Sequence, residues 1–78
     1  MIRELDTVAL THDLPTYGLM AGDVGAVVHC YPNGAAFEVE FVTAAGETVS
    51  VVTLTPSDVR PLLGREILHV RELAFAKG

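Results

Sequence analysis

Short stretches of alternating apolar and polar residues make up most of the chain, and glycine or proline separates them. In the clearest stretch, Phe37, Val39 and Phe41 are separated by two glutamates. Such a period of two, in segments rich in Val, Thr, Phe and Tyr, is typical of antiparallel strands with one buried face. The pattern predicts five strands: Leu5–Leu10, Asp23–Tyr31, Ala35–Val42, Glu47–Leu54 and Val59–Leu62.

The second predicted strand carries two further expectations. Alternate residues share one face of it, which is predicted to contact the core: Val24, Ala26, Val28 and Cys30. A buried thiol is a poor nucleophile, so Cys30 is interpreted as a core residue. Gly25 lies inside the strand, where a missing side chain indicates a bulge or a close approach of another backbone.

Turn signals join the strands in a recognisable order. Pro32-Asn33-Gly34 offers the positive φ values of a tight hairpin, and Thr55–Asp58 is predicted as a single helical turn. Pro61 restricts the last strand to a sheet edge or a strand end. Together with a long first loop, Thr11–Gly22, this order predicts a mainly β fold over residues 1–62, a small closed SH3-like barrel of about five antiparallel strands.

The C-terminal segment, residues 63–78, has a different pattern. Leu63, Ile67, Val70 and Ala74 recur at helical spacing. This stripe predicts a short amphipathic C-terminal helix. In the competing interpretation the segment is a sixth strand, with one face made of Ile67, His69, Arg71, Leu73 and Phe75.

Composition narrows the class of protein. Half of the 78 residues are hydrophobic, which disfavours disorder, and no run reaches the roughly 20 apolar residues of a membrane span. Five Lys and Arg against ten Asp and Glu give a net charge of −5, which disfavours nucleic-acid binding. The single cysteine excludes an intrachain disulfide, and with no signal-peptide pattern the cytoplasm is the predicted compartment.

Several sequence blocks, taken in order, resemble one family. They are Leu5–Leu10, Asp13–Pro15, Gly18–Leu19, Ala21–His29, Phe37–Phe41 and Asp58–Pro61. Over about residues 4 to 61 the chain resembles small stand-alone bacterial proteins that form a domain of unknown function. The resemblance implies the barrel fold and a bacterial cytoplasmic origin, and it brings no catalytic residues. The stretch Gly22–Val27 has a looser likeness to KOW-type modules of SH3-like barrels.

Candidate catalytic residues are few. His12 and Asp13 are adjacent in the first loop, and a His/Asp pair can do acid–base work or bind a metal. Neighbouring loop residues usually point apart, however, and the three histidines lack the spacing of zinc ligands. No catalytic, metal or cofactor site is therefore predicted. An enzyme, which would need a pocket joining this pair to Tyr17, is the least expected class.

Two surfaces are candidates for interaction. Glu38 and Glu40 share the solvated face of the third strand, with Glu47 beyond the next turn, and this acidic patch could steer a basic partner. In the C-terminal segment, Leu68 and Phe75 lie off the helical stripe and, with Leu73, form a candidate interface.

These features favour a non-enzymatic protein-interaction or oligomerisation module that binds a protein partner or a second copy. One alternative is the neutralising partner in a two-gene, toxin–antitoxin-like pair. Another is a KOW-like nucleic-acid-binding module. That module would need a groove lined by Arg3, Arg60, Arg65 and Arg71.

Overall fold

Five antiparallel strands form one sheet in the computed structural model of the chain, which describes residues 2–73. The strands are β1 Thr7–Leu10, β2 Val24–Cys30, β3 Phe37–Val42, β4 Thr48–Leu54 and β5 Val59–Pro61. Their order across the sheet is β4-β3-β2-β1-β5, and every neighbouring pair is antiparallel. The prediction of a mainly β fold with five antiparallel strands is confirmed.

The sheet is open, so the predicted closure into a barrel is not found among these strands. β4 and β5 lie at its two edges and do not pair with each other. β5 has only three residues, and its last residue, Pro61, has no N–H with which to extend a ladder. The predicted position of Pro61, at the end of an edge strand, is confirmed.

One cluster of buried side chains forms the core, and all five strands contribute to it. Because both edge strands bury residues in the same cluster, the sheet must bend around it. The long first loop adds Leu19, which is buried, and an isolated bridge between Leu14 and Leu19 closes that loop. The other core residues are Val8, Leu10, Val27, Phe37, Val39, Phe41, Val52, Leu54 and Val59.

The predicted core face of β2 is wrong over most of its length. Val24 and Val28 are 38% and 43% exposed, whereas Val27 on the other face is fully buried. The pairing of β2 with β3 shifts register between Val27 and His29, so one extra residue forms a β-bulge there. The bulge reverses the alternation, and Cys30 is therefore half-buried against the core, close to its predicted position.

The predicted C-terminal helix is wrong over residues 63–73, and so is the alternative sixth strand. These residues are assigned to neither element, and a turn interrupts them at Gly64 and Arg65. Ile67 and Val70, which the helix would have buried, are exposed. Residues 74–78 of the predicted helix, including Ala74 and Phe75, lie outside the described residues.

The hairpin turn between β2 and β3 follows the prediction. Asn33 and Gly34 both adopt positive φ, at 64° and 66°. The loop is longer than a two-residue turn, because the Tyr31 N–H donates to the Ala36 carbonyl at 2.9 Å. Within residues 2–73, no helix has the length and the apolar character needed to cross a membrane.

Leu5 is an exposed residue in a strained conformation. Its φ is 74°, its side chain is 84% exposed, and its N–H donates to the Val27 carbonyl at 2.7 Å. Left-handed backbone costs a residue with a Cβ about 1–2 kcal/mol, and asparagine tolerates it better. We expect Leu5→Asn to raise the free energy of unfolding by about 0.5–1 kcal/mol in urea titration. Leu63→Asn, at an exposed leucine without positive φ, is the control, and an equal gain there would contradict the explanation.

Candidate functional site

The adjacent His12 and Asp13 do not form a side-chain pair. The Asp13 carboxylate accepts a hydrogen bond from the Ala21 N–H at 2.8 Å. His12 pairs instead with Asp58, its Nε2 lying 2.7 Å from the Asp58 Oδ1. Its Nδ1 lies 3.0 Å from the backbone carbonyl of Asp13. The two neighbours therefore have separate partners, as expected of adjacent loop residues, and the long-range pair of His12 joins the first loop to the turn before β5.

Hydrogen bonds stabilise that turn, residues 55–58, and also join it to the first loop. The Asp58 N–H donates to the Thr55 carbonyl at 2.9 Å, and the Asp58 carboxylate accepts from the Thr55 N–H at 2.8 Å. Thr11 donates from its N–H to the Asp58 carbonyl and from its hydroxyl to the Ser57 carbonyl. Residues 55–58 therefore form the predicted single turn, which does not extend into a helix. The Asp58 carboxylate binds back to the Thr55 N–H at the start of the turn, as in a capping box.

The hydrogen bonds of this polar cluster join the first loop to the turn before β5. Both ring nitrogens of His12 face groups that only accept hydrogen bonds, a carboxylate and a carbonyl, so the protonated ring satisfies both. His29 lies elsewhere, with its Nδ1 3.8 Å from Glu4. Across residues 2–73, no group of three or more His, Cys, Asp or Glu side chains is arranged to hold a metal ion.

The His12–Asp58 pair makes stability depend on pH. The hydrogen bond to Asp58, with a smaller one to the Asp13 carbonyl, raises the pKa of His12 above 6.5, and the bond from His12 lowers the pKa of Asp58 below 3.8. The His12–Asp58 pair stabilises the fold fully between pH 3.8 and pH 6.5, the ordinary pKa values of the two groups. This stabilisation is lost as the pH rises through the raised pKa of His12, and as the pH falls through the lowered pKa of Asp58.

We expect an NMR titration to show His12 deprotonating above pH 6.5, and thermal unfolding to show the melting temperature decline over the same range. Asp58→Asn is the matched variant, in which the pKa of His12 returns toward its ordinary value. A His12 titration that is the same in both proteins would rule out the pair as the cause.

The predicted acidic patch separates into two parts. Glu38 and Glu40 share the outer face of β3, where Glu38 accepts from the Tyr31 and Thr53 hydroxyls. The Thr48 hydroxyl donates to Glu40 at 2.7 Å. The bonds from Tyr31 and Thr53 lower the pKa of Glu38, and the Glu38 carboxylate raises the pKa of the Tyr31 phenol. Glu47 is exposed in the turn before β4.

The predicted interface in the C-terminal segment is also divided. Leu68 is exposed, Leu73 is half-buried, and Phe75 lies outside the described residues. Between them, the Arg71 Nε donates to the Asp23 Oδ1 at 2.9 Å, with side chains that are 25% and 18% exposed. Burial, the largest single effect, would raise the pKa of Asp23, but the bond from Arg71, the bond from the Met20 N–H and the charge of Arg71 together outweigh it, and the pKa is lowered.

Arg71 also donates from Nη2 to the Gly18 carbonyl at 3.0 Å. The segment therefore crosses the end of the sheet beside a groove of about 480 Å³, whose lining includes Val24, Val49 and Leu73. A long-range ion pair, which no local pattern encodes, holds these residues in place of the predicted helix.

The free edge of β4 is the feature that sequence patterning missed. β4 has seven residues, and within residues 2–73 no strand pairs with its outer side. It contains neither a charged residue nor a proline, and Val51 near its middle is 52% exposed. The lack of charge and of proline can be read directly from the sequence of Thr48–Leu54. Only the strand order, however, shows that this strand lies at an edge.

The opposite edge of the sheet is protected. β5 is short and ends in Pro61, and Arg60 carries a charge that pairs with Glu66 at 2.9 Å. This ion pair lowers the pKa of Glu66 to about 2. Short edge strands, prolines and charges are the usual means by which proteins prevent pairing at a sheet edge. β4 has none of them, although a register shift opposite Phe41 and Val42 places a bulge near its start.

Five strands around one core, one protected edge and one free edge define a small all-β domain. The chain belongs to the domain of unknown function family DUF4926, whose model matches residues 4–61. The resemblance seen in the sequence is thereby confirmed over the same residues, which span all five strands, while the likeness to KOW-type modules stays a prediction. Comparison with curated proteins and with solved structures found no match.

Proposed function

We propose that this chain is a non-enzymatic protein-interaction module, and that it binds a β-strand of another polypeptide along the free edge of β4. The observation that carries the proposal is the contrast between the two edges. β5 combines three residues, a proline and a charged arginine, whereas β4 presents seven uncharged residues. An unpaired edge of this kind is a template for β-strand addition.

The backbone of β4 supplies the binding groups. In an antiparallel sheet, alternate residues direct their N–H and C=O groups away from the neighbouring strand. About three residues of β4 therefore offer hydrogen bonds along its outer side. Ser50 to Leu54 continue the regular pairing with β3 beyond the bulge, so this half of the strand is straight enough to receive a partner.

The side chains around the edge suit a protein partner. Val51 is 52% exposed on β4, and the hydroxyls of Thr48 and Thr53 lie on the same strand. Glu38 and Glu40 lie one strand further in, where threonine hydroxyls bind their carboxylates. A strand added to β4 would meet apolar and hydroxyl side chains before it meets a charge.

The arginines give less support to nucleic-acid binding. Of the four that a groove would need, Arg60 is paired with Glu66 and Arg71 with Asp23. Phosphate binding requires clustered cations that are free to release counterions. The two-gene partner remains a form of the interaction function, in which the added strand comes from a different gene product.

Photocrosslinking tests the interaction function. The photoreactive residue p-benzoylphenylalanine replaces Val51 or, as the matched control of equal exposure on an interior strand, Val42. The protein is irradiated in extract of its source cells and the adducts are mapped by mass spectrometry. We expect an intermolecular adduct, mapped to a defined strand of the captured polypeptide, from position 51 and much less from position 42. Absence of an adduct from position 51, or equal yields, would contradict the proposal.

A further inference from the structure

We infer that the strand bound by β4 is the β4 strand of a second copy of this chain, paired antiparallel about a two-fold axis. This inference rests on the proposed function and specifies its partner. The two sheets would then form one continuous sheet of ten strands, since each copy contributes five. A two-fold pairing uses the same surface on both copies, so β4 must be complementary to itself.

The charge distribution meets that requirement. The whole chain carries a net charge of −5, which makes most of its surface unfavourable for a second copy. β4 is the exception, since Thr48–Leu54 contains no charged residue. A strand from a strongly basic partner would gain little from this uncharged edge. Self-pairing therefore places the two copies in contact where their repulsion is smallest.

The register of the pairing keeps the nearest charges apart. With the two-fold axis near Val51, this residue lies beside its counterpart, and Ser50 lies opposite Val52 of the other copy. Glu47, which precedes β4, would lie opposite Thr55 and not opposite another carboxylate. β-branched and hydroxyl side chains paired across strands contribute roughly 0.2–1 kcal/mol each.

The size of the contact sets the expected affinity. Stable interfaces bury about 800 Å² per partner, and one strand pair of this length buries less. The pairing should therefore be reversible, with a dissociation constant on the order of 1–100 µM. The oligomeric state would then follow protein concentration.

Sedimentation equilibrium tests the inference on wild type and two single substitutions. Val51→Lys places a positive charge at the axis, and it keeps the monomer folded because Val51 is the cross-strand partner of Glu40. Val42→Lys is the matched control, as it starts from the same 52% exposure on an interior strand. Thr53→Lys, whose cross-strand partner is Glu38, is a second edge variant. Circular dichroism shows that each variant is folded.

We expect wild type and Val42→Lys to dimerise between about 10 and 500 µM, and the two edge variants to raise the dissociation constant at least tenfold, by about 1.4 kcal/mol. A wild type that stays monomeric throughout, or edge variants that dimerise as Val42→Lys does, would overturn the inference. Should wild type be monomeric while position 51 crosslinks to a different polypeptide, the second copy is excluded and the interaction function stands. Should position 51 crosslink to nothing, both fail.

Discussion

Replacing Gly25 with alanine is expected to lower the free energy of unfolding by about 2–3 kcal/mol, the range of an overpacked core position. An added Cβ would lie 2.7 Å from the Val39 Cγ1 and 2.9 Å from the Phe41 Cε2. It would also lie 3.0 Å from the Glu40 carbonyl oxygen, which cannot move away without disturbing the pairing of β2 with β3. Elsewhere in a strand the same change would be stabilising, by about 0.5–1 kcal/mol, because glycine loses more entropy on folding.

Urea unfolding measures this effect, and Gly64→Ala is the control. Gly64 has no atom within 4 Å of an added Cβ and no positive φ. The control should therefore stay within about 0.5 kcal/mol of wild type. Similar changes at the two glycines would show that close packing of β2 on β3 is not the reason for glycine at position 25.

Phe41→Ala is expected to cost about 3–5 kcal/mol, the usual range for deleting a buried aromatic ring. Phe41 is buried in the core and its ring also limits the space beside Gly25. A domain of this size has a total stability of roughly 4–12 kcal/mol, so the variant should lose a large share of it and melt at a much lower temperature than wild type.

The neighbouring Val42→Ala provides the comparison within the same strand. Val42 is the next residue of β3 and is half exposed on the outer face, so its substitution should change stability by less than about 1 kcal/mol. Thermal unfolding monitored by circular dichroism separates the two. A Phe41→Ala variant that melts with the Val42→Ala variant would contradict the placement of the core beneath β3.

The strands were predictable where the alternation is regular, and less so where a bulge interrupts it. In β3 the period of two continues without a break, and Phe37, Val39 and Phe41 are all buried as expected. In β2 an extra residue shifts the register after Val27, so reading the period through the strand assigns the wrong face to Val24 and Val28. Nothing in the local sequence distinguishes that bulge from regular alternation.

The C-terminal segment shows the second limit. Its apolar residues do recur at helical spacing, but a helix of this length is stable only when its apolar stripe is buried. The segment is held instead by the bonds of Arg71 to Asp23 and Gly18, whose partners lie about fifty residues earlier in the chain. Such contacts depend on the folded sheet and cannot be inferred from the segment itself.

Only part of the candidate site could be predicted from the sequence, for the same reason. The acidic residues of β3 and the apolar residues of the C-terminal segment could be identified from sequence, and an interaction function was predicted from them. The edge position of β4 depends on the strand order β4-β3-β2-β1-β5, which is a property of the tertiary fold. The proposed binding surface, the outer edge of β4, is therefore different from the C-terminal segment that the sequence pattern favoured.

Amide hydrogen exchange along β4 tests the central claim most directly. In the monomer, no strand within residues 2–73 pairs with the amides of β4 that face away from β3, and these amides should exchange as fast as solvated backbone. At high protein concentration we predict that these amides between Ser50 and Leu54 become protected, and that Val51→Lys removes the protection while Val42→Lys keeps it. Outward amides of β4 that exchange rapidly at every concentration and in the presence of source-cell extract would contradict the account.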